Sequence, residues 1–221
     1  MYTIVKRIMD VIFSFISLII LLPLFIPIIL LLILTAEGEV LYFQERLGYK
    51  NKLFQICKFV TMLKNPLQMG SGSITLKDDF RVTKVGSFLR KTKINKLPQI
   101  INILKGDISF VGPRPLMLSF FDSYPESIQS KIYNVKPGLT GIGSIIFRDE
   151  ESLLLSIKND DPHVYYHNIL APYKGELELW YQDNRSFITD LKVIFIRAWV
   201  VIFPSSFLAY KVFKDIPARK F

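Results

Sequence analysis

The sequence is poor in cysteine and histidine, and this scarcity excludes several kinds of protein. The single cysteine, Cys57, excludes a framework of intrachain disulfides and is typical of a reducing environment. We expect Cys57 to be a small buried apolar residue. The only histidines, His163 and His167, are spaced i, i+4 without a third ligand, so neither a zinc site nor a histidine-based triad is expected.

Signature motifs of common enzyme classes are also missing. The chain has no P-loop, no GxGxxG, no HExxH and no CxxC pair, so the reaction classes that depend on these motifs lose support. No internal repeat or low-complexity tract is evident. The 221 residues fit one domain of ordinary size together with a membrane-associating element.

Hydrophobic residues are abundant instead, at 50% of the chain, and the longest apolar run lies near the N-terminus. Residues 11–34 carry no charge and are interrupted only by serines, Pro23 and Pro27. This length can cross a bilayer, which requires about 20 apolar residues. A signal peptide fits less well, because its apolar part is only about 7–15 residues long and no small-residue cleavage site follows here.

The membrane segment has two candidate topologies, a straight span or a re-entrant hairpin that enters and leaves by the same face. Pro23 removes a backbone donor and clashes with the preceding turn, so a helix should kink or break there, and Pro27 adds a second disturbance. Cations flank the apolar run, with Lys6 and Arg7 before it and Arg46 after it. Because a hairpin keeps both flanks in the cytosol, we favour the hairpin over the span.

We therefore divide the chain into residues 1–38, a membrane-inserted segment, and residues 39–221, one compact cytosolic domain. The expected fold class is α/β, mostly α, with amphipathic helices at the membrane interface. Alternating residues over 40–45 and 53–60 predict a β-hairpin. Further patterns predict helices over 79–90, 98–104, 116–133 and 187–203, a rigid Gly- and Pro-rich loop over 135–143, and a connection over 160–172.

The chain is strongly basic, with 28 lysines and arginines against 19 acidic residues and a formal net charge of +9. This balance predicts an anionic partner, which could be nucleic acid, anionic lipid or a phosphorylated substrate. Nucleic acid does not account for the long apolar segments, so we expect none. The central segment has enough cations to hold a diphosphate, namely Arg46, Lys58, Arg81, Arg90, Lys91, Lys93, Lys96, Lys105 and Arg114.

Arg114 is the strongest candidate for a phosphate ligand among these cations, and Arg90 is the next. Pro113 and Pro115 fix the backbone on either side of Arg114, so its guanidinium loses less entropy when it binds phosphate. A solvated cationic face beside anionic lipid is the alternative explanation for such a cluster.

Short motifs follow one another in order along nearly the whole chain. They include Lys6-Arg-Ile-Met-Asp10, Leu97-Pro-Gln99, Asn102-Ile-Leu-Lys-Gly-Asp107, Val111-Gly-Pro-Arg-Pro115, Lys136-Pro-Gly138 and Asp190-Leu-Lys192. In these motifs the chain resembles the bacterial sugar transferase family, the small monotopic phosphoglycosyl transferases that begin the assembly of cell-surface glycans.

The resemblance implies a re-entrant helix at the cytosolic face of the bacterial inner membrane. It implies transfer of a sugar-1-phosphate from a nucleoside diphosphate sugar to polyprenyl (undecaprenyl) phosphate, with magnesium, at the start of exopolysaccharide, O-antigen or capsule synthesis. A homo-oligomer is left open. The expected phosphate ligands are Arg90, Arg114, Lys58 and Arg81, and the expected loop residues at the site are Pro113, Pro115, Pro137 and Gly138.

One departure from the family pattern affects the chemistry. Members usually carry an Asp-Glu pair directly before Leu-Pro-Gln, whereas this chain has Asn95 and Lys96. An asparagine amide is not a useful nucleophile, and a lysine cannot bind a metal as a carboxylate does. Two explanations stay open: either other carboxylates, Asp149 and Glu150 first, supply the nucleophile or bind magnesium, or the chain is an inactive relative that binds lipid or nucleotide sugar.

Overall fold

The computed structural model describes residues 2–35, 38–63, 79–150, 153, 162–219 and 221. These residues form a mostly helical α/β structure that begins with one long helix. The chain divides into two compact units. The larger unit comprises Met1–Asp10, Glu45–Phe54 and Gly106–Phe221, and the smaller unit comprises Val11–Gln44 and Gln55–Lys105.

The N-terminal helix α1, Tyr2–Thr35, is 34 residues long. It is long and apolar enough to cross a membrane. The helix continues through Pro23 and Pro27, so it does not break at Pro23, and the kink predicted there as the alternative stays a prediction. Most side chains beyond Asp10 are exposed, which is costly in water and favourable in lipid.

In the smaller unit, the end of α1 packs against a small apolar core. The strands β1, Leu41–Leu47, and β2, Leu53–Phe59, form the predicted two-stranded hairpin, of which residues 41–44 and 55–59 belong to the smaller unit. Helices α2, Lys84–Lys91, and α3, Gln99–Lys105, follow. Gly106 has a φ of +92°, a conformation that suits glycine at a helix end. The buried residues that pack together are Ile28, Leu32, Phe59, Val60 and Leu89.

Cys57 is buried in the smaller unit, as predicted, with 3% of its surface exposed. The side chain of Asn102 on α3 holds the backbone on both sides of it. Its amide oxygen accepts from Cys57 N–H at 2.9 Å, and its amide nitrogen donates to the carbonyl of Gln55 at 2.8 Å. The hairpin is therefore tied to α3 by a buried amide.

The larger unit is built around a short parallel pair of strands. The strand β3, Ser109–Val111, pairs in parallel with β4, Gly138–Thr140, in the register Ser109 to Gly138 and Val111 to Thr140. The helices of this unit are α4, Leu118–Phe121; α5, Glu126–Ile132; α6, Ile142–Ile146; α7, Pro162–Tyr165; α8, Ala171–Asp183; α9, Phe187–Ile202; and α10, Leu208–Val212.

Three sequence-based predictions are wrong in this unit. The helix predicted over 116–133 is two short helices, α4 and α5, and residues 122–125 between them are not helical. The rigid loop over 135–143 contains β4, because its backbone pairs with β3. The connection over 160–172 is helical from Pro162, and a π-helical turn, Tyr166–Leu170, joins α7 to α8. Burial explains the helix, since Tyr166, Leu170 and Ala171 belong to the main core. Residues 160 and 161 lie outside the described residues.

The first turns of α1 are held in the larger unit by buried carboxylates. Asp190 on α9 accepts a hydrogen bond from Tyr2 Oη at 2.8 Å and pairs with Lys6. Asp10 accepts from Ser109 Oγ and from the backbone N–H of Phe110, both at 3.1 Å. These contacts explain why charged residues precede the apolar run: they anchor the start of α1 to the β3 segment and to α9.

Candidate functional site

Residues 112–115, which we call the Arg114 turn, directly follow β3. Hydrogen bonds to the backbone hold this turn in place. The N–H of Gly138 donates to the carbonyl of Pro113 at 2.8 Å. Tyr133 Oη donates to the carbonyl of Arg114 at 2.8 Å and accepts from Leu116 N–H at 2.8 Å. The Arg114 side chain is exposed while the residues on either side of it are buried. The turn therefore presents one guanidinium on a fixed backbone, as the sequence predicted.

Glycines allow the two strands to approach closely beside this turn. A Cβ at Gly112 would lie 2.4 Å from the carbonyl oxygen of Lys136, and a Cβ at Gly138 would lie 2.1 Å from the backbone nitrogen of Gly112. No side chain fits at either position, because real Cβ contacts are longer. The predicted loop residues Pro113, Pro115, Pro137 and Gly138 all lie in this frame and are buried.

A carboxyl group lies directly behind the Arg114 turn. Glu178 on α8 is 4% exposed, and its Oε1 accepts a long hydrogen bond from the N–H of Arg114 at 3.4 Å. Its Oε2 has no hydrogen-bond partner among the described residues. Burial raises the pKa of Glu178 from its ordinary value of 4.5 to about 7, although the Arg114 N–H and the Lys174 charge act in the opposite direction.

One helical turn earlier, Lys174 is also buried and is paired with Glu150. Lys174 Nζ lies 2.5 Å from Glu150 Oε1. It also lies 5.0 Å from the ring centroid of Tyr166 and 5.2 Å from that of Phe147. Burial lowers the pKa of Lys174, and the Glu150 carboxylate opposes this shift. The ion pair and the faces of two rings therefore stabilise a charged lysine in the core.

Positive charge predominates around the turn. Arg197 on α9 donates to the carbonyl of Ser144 at 3.2 Å, and its pKa is lowered by burial first and by the charge of Arg114 second. The charge of Arg114 also contributes to the lowered pKa of Lys174. We call the set Arg114, Glu150, Lys174, Glu178 and Arg197 the Arg114 cluster. The cluster has three cations against two carboxyl groups, and this excess of positive charge favours an anionic ligand.

The structure separates the two carboxylates that the sequence singled out. Glu150 belongs to the Arg114 cluster through its pair with Lys174. Asp149 is at the surface, where it pairs with Arg219 at 3.0 Å. Arg219 lies in turn over the rings of Phe147 and Phe221. The catalytic role predicted for both carboxylates stays a prediction, and the contacts favour Glu150 over Asp149.

The other predicted phosphate ligands lie in the smaller unit. Arg81 is 1% exposed and donates to both carboxylate oxygens of Asp79, from Nε at 2.9 and 3.1 Å. Arg90 is partly buried and donates from Nε to Thr61 Oγ1 at 2.9 Å. Lys58 donates to Gln44 Oε1 at 2.8 Å. Their role in phosphate binding stays a prediction, and Arg81 is already committed to a buried ion pair.

The Asn95-Lys96 position lies in a tight turn between α2 and α3. Residues Ile94–Lys96 form a 3₁₀-helix, which Lys93 enters with a left-handed φ of 62°. The amide oxygen of Asn95 is buried and has no hydrogen-bond partner among the described residues. A neutral amide whose oxygen is unsatisfied therefore stands where the resemblance leads one to expect an acidic residue.

The described residues do not fit a magnesium site formed by the protein alone. Nowhere in the described ranges do three histidine, cysteine, aspartate or glutamate side chains come together. The acids of the Arg114 cluster, Glu150 and Glu178, lie beside Lys174 and the Arg114 turn. Mg²⁺ prefers oxygen ligands in octahedral geometry. The positive charge of Lys174, 2.5 Å from Glu150 Oε1, opposes the binding of a second cation there.

Sequence reasoning missed Lys174 and Glu178. A signal was available, because two oppositely charged residues at i, i+4 lie on a helix that is otherwise aromatic and apolar on that side. The pattern alone indicates a surface ion pair between Lys174 and Glu178. Instead, Lys174 pairs with Glu150, and Glu178 accepts a hydrogen bond from the backbone N–H of Arg114.

Comparison with known proteins places the chain in a family. The sequence profile of the bacterial sugar transferase family matches residues 1–204. The chain is 38% identical over 157 residues to an uncharacterised sugar transferase of Bacillus subtilis, which covers 71% of this chain and 67% of that protein. It is 35% identical over 164 residues to the UDP-N-acetylgalactosamine-undecaprenyl-phosphate N-acetylgalactosaminephosphotransferase of Aeromonas hydrophila, covering 72% of this chain and 38% of that protein.

A third relative extends the match. The UDP-glucose:undecaprenyl-phosphate glucose-1-phosphate transferase of Klebsiella pneumoniae is 34% identical over 199 residues, which are 88% of this chain and 39% of that protein. The chain thus spans less than half of the Aeromonas and Klebsiella proteins. Because the family profile covers nearly the whole chain, this protein belongs to the bacterial sugar transferase family.

Proposed function

We propose that this chain transfers a sugar-1-phosphate from a nucleoside diphosphate sugar to a polyprenyl phosphate and so initiates a cell-surface glycan. Family membership supports this proposal, and so do relatives named as undecaprenyl-phosphate sugar phosphotransferases. The observation that carries it is the exposed guanidinium of Arg114 on a turn whose backbone is held from both sides. A fixed guanidinium matches the oxygens of a diphosphate.

The proposed transfer exchanges one phosphorus–oxygen bond for another. An oxygen of the lipid phosphate becomes bonded to the phosphorus that bears the sugar, and that phosphorus releases the nucleoside monophosphate. Negative charge builds up on the phosphoryl oxygens during the exchange, and the guanidinium of Arg114 stabilises it. Lys174 and Arg197 keep the potential behind the turn positive without touching the ligand.

Magnesium remains part of the proposal as an ion that accompanies the diphosphate of the donor. The cation commonly binds substrate phosphates through one or two carboxylates and several waters. No step above depends on it, because the described residues do not form a protein-only site. A comparison of activity with magnesium and with a chelator tests the requirement.

A second candidate function is binding without catalysis, and Asn95-Lys96 favours it. Neither side chain can act as the carboxylate nucleophile that the family usually carries at this position. Such a protein would hold a nucleotide sugar or a lipid phosphate at the Arg114 turn and leave transfer to a partner.

The test is release of nucleoside monophosphate by the purified full chain in detergent. The assay contains polyprenyl phosphate, magnesium and a panel of nucleoside diphosphate sugars, including UDP-glucose and UDP-N-acetylgalactosamine. We expect release from at least one donor, and only when the lipid phosphate is present. If no donor is cleaved by the natural chain while Asn95→Asp/Lys96→Glu gains activity, the binding function replaces the transferase.

We also propose that α1 is re-entrant: a bend at Pro23 and Pro27 inside the membrane would place both ends on the cytosolic face of the bacterial inner membrane. The cations Lys6 and Arg46 on both sides of the apolar run support this topology. Cysteines at Thr3 and Glu39, in a Cys57→Ser chain, mark the two ends. Both should resist an impermeant thiol reagent in intact cells and react after permeabilisation. Labelling of one end alone in intact cells supports the straight span.

A further inference from the structure

Glu178 differs from the other buried acids of the larger unit. Asp10 accepts two hydrogen bonds, from a serine hydroxyl and a backbone N–H. Asp190 accepts from Tyr181 Oη at 2.6 Å and pairs with Lys6. Glu178 has one long hydrogen bond to Arg114 N–H, and its other oxygen has no partner among the described residues. A buried carboxylate with so few donors is costly unless it takes up a proton.

The surroundings of Glu178 are shaped to fit this carboxyl group. A Cβ at Gly143 would lie 2.5 Å from Glu178 Oε1, and a Cβ at Gly141 would lie 3.7 Å from Oε2. Gly143 therefore leaves space that a side chain would take from the carboxyl group. The start of α6 and the Arg114 turn both close around one end of Glu178.

The charged and titratable groups that act on Glu178 come from several elements. Arg114 on the turn and Lys174 on the same helix favour its ionised form. Tyr124 and Tyr133 are the titratable neighbours on the side of α5, and the Glu178 charge raises the pKa of both after the effect of their own burial. The charge of Lys174 has the larger effect of the two but is fixed by its pair with Glu150, whereas the smaller effect of the exposed Arg114 charge is the one that a bound anion can change.

We propose that Glu178 is a positioning residue of the Arg114 turn and that it takes up a proton when a phosphate group binds there. The inference rests on the proposed function, which makes Arg114 a phosphate ligand. A bound anion neutralises the charge of Arg114 and repels an ionised Glu178. A proton from solvent then occupies Oε2, while Oε1 continues to accept from Arg114 N–H. The turn keeps its geometry because the uncharged acid stays in place.

The test measures binding, so it does not depend on turnover. UDP-glucose and UDP-N-acetylgalactosamine serve as probes, since the phosphates of these diesters do not titrate near neutral pH. Calorimetric titrations in buffers of different ionisation enthalpy give the number of protons taken up. We expect wild type to take up about half a proton at pH 7 and to bind about tenfold more weakly at pH 8 than at pH 6.

The variant Glu178→Gln retains the carbonyl oxygen that accepts from Arg114 N–H and cannot titrate. It should bind with no proton uptake and with equal affinity at pH 6 and pH 8. The matched control is Glu176→Gln, an exposed position on the same helix, which should keep the wild-type pH dependence. Gly143→Ala moves the carboxyl group, since a Cβ there would lie 2.5 Å from Oε1, and should weaken binding at both pH values.

Equal pH dependence in wild type and Glu178→Gln overturns the proposal, as does the absence of proton uptake by wild type. Absence of binding of both probes by wild type at pH 6 also overturns it. If binding and proton uptake are observed while no donor is cleaved, the proton coupling stands and the transferase function fails. A single cooperative unfolding transition for Glu178→Gln confirms that the variant is folded.

Discussion

Two acids of this molecule, the partly buried Asp79 and the buried Glu178, have opposite surroundings. In the smaller unit, Asp79 receives four donor contacts from Arg81, one from the backbone N–H and three from the guanidinium, whose Nη2 lies 2.5 Å from Asp79 Oδ2. These hydrogen bonds lower the pKa of Asp79 to about 2. In the larger unit, Glu178 lies behind the exposed Arg114 turn with one long hydrogen bond, and burial raises its pKa to about 7.

The comparison separates an arginine whose charge is held by a neighbouring acid from an arginine whose charge remains available to a ligand. Arg81 is committed to Asp79 by geometry, so little of its charge is available to a ligand. The guanidinium of Arg114 is left outside while only its backbone contacts the acid. A ligand can therefore alter the field at Glu178 far more than at Asp79. Four predictions test this contrast.

The largest effect is expected from Glu150→Ala. The variant removes the carboxylate that pairs with buried Lys174, and an uncompensated buried charge lowers the free energy of unfolding by about 3–5 kcal/mol. Chemical denaturation of the full chain in detergent measures the loss. Glu126→Ala, an exposed acid on α5, is the control and should be near neutral. Equal stability of the two variants contradicts a buried pair at Lys174.

Arg114→Ala should lower the rate of transfer by about 100-fold or more, because it removes the donor that stabilises charge on the transferred phosphoryl group. The rate of transfer by Arg114→Lys should lie between the rates of Arg114→Ala and wild type, because lysine keeps the positive charge but lacks the planar guanidinium. Release of nucleoside monophosphate measures both rates. Lys131→Ala, an exposed cation on α5, is the control. Wild-type activity in Arg114→Ala removes the turn from the mechanism.

The two acids should give stability–pH profiles of opposite sign. The pKa of Glu178 is raised from 4.5 to about 7, so wild type should lose stability relative to Glu178→Gln as pH rises from 4.5 to 7. The pKa of Asp79 is lowered from 3.8 to about 2, so wild type should lose stability relative to Asp79→Asn as pH falls from 3.8 to 2. Denaturation curves across both pH ranges measure the free energies of unfolding. Stability differences that change in the same direction with pH for the two acids would contradict this prediction.

The smallest effect is expected from Asp149→Ala. Its pair with Arg219 is exposed, and such pairs change stability by no more than about 1 kcal/mol. Thermal unfolding measures this change. The transfer activity of the same folded variant tests the catalytic role predicted from sequence: loss of activity supports that role, and full activity leaves Glu150 as the remaining candidate of the two.

Local patterns in the sequence predicted several elements correctly. The β1–β2 hairpin, α3 with its end at Gly106, and α9 follow from strand alternation, helical spacing and a glycine stop. The rigid Arg114 turn follows from the prolines on either side of it. Each of these features depends on interactions within a few residues, so the sequence contains the necessary information.

The remaining features depend on contacts that are distant in sequence. The strand β4 is only three residues long and exists because β3 pairs with it. Glu178 contacts Arg114 across 64 residues, and Lys174 selects Glu150, 24 residues away, over its helical neighbour. Periodicity cannot assign such partners, because many acids and bases in the chain are equally suitable before the fold brings particular ones together.

Transfer of a doubly labelled donor to lipid tests the central claim most directly. The donor carries radioactive phosphorus in the phosphate that bears the sugar and radioactive carbon in the sugar. After incubation of the full chain with polyprenyl phosphate, we predict that both labels enter the lipid fraction in equal amounts and that Arg114→Ala abolishes the transfer. Sugar label without phosphorus label in the lipid, or no label in the lipid with any donor, would contradict a sugar-1-phosphate transferase.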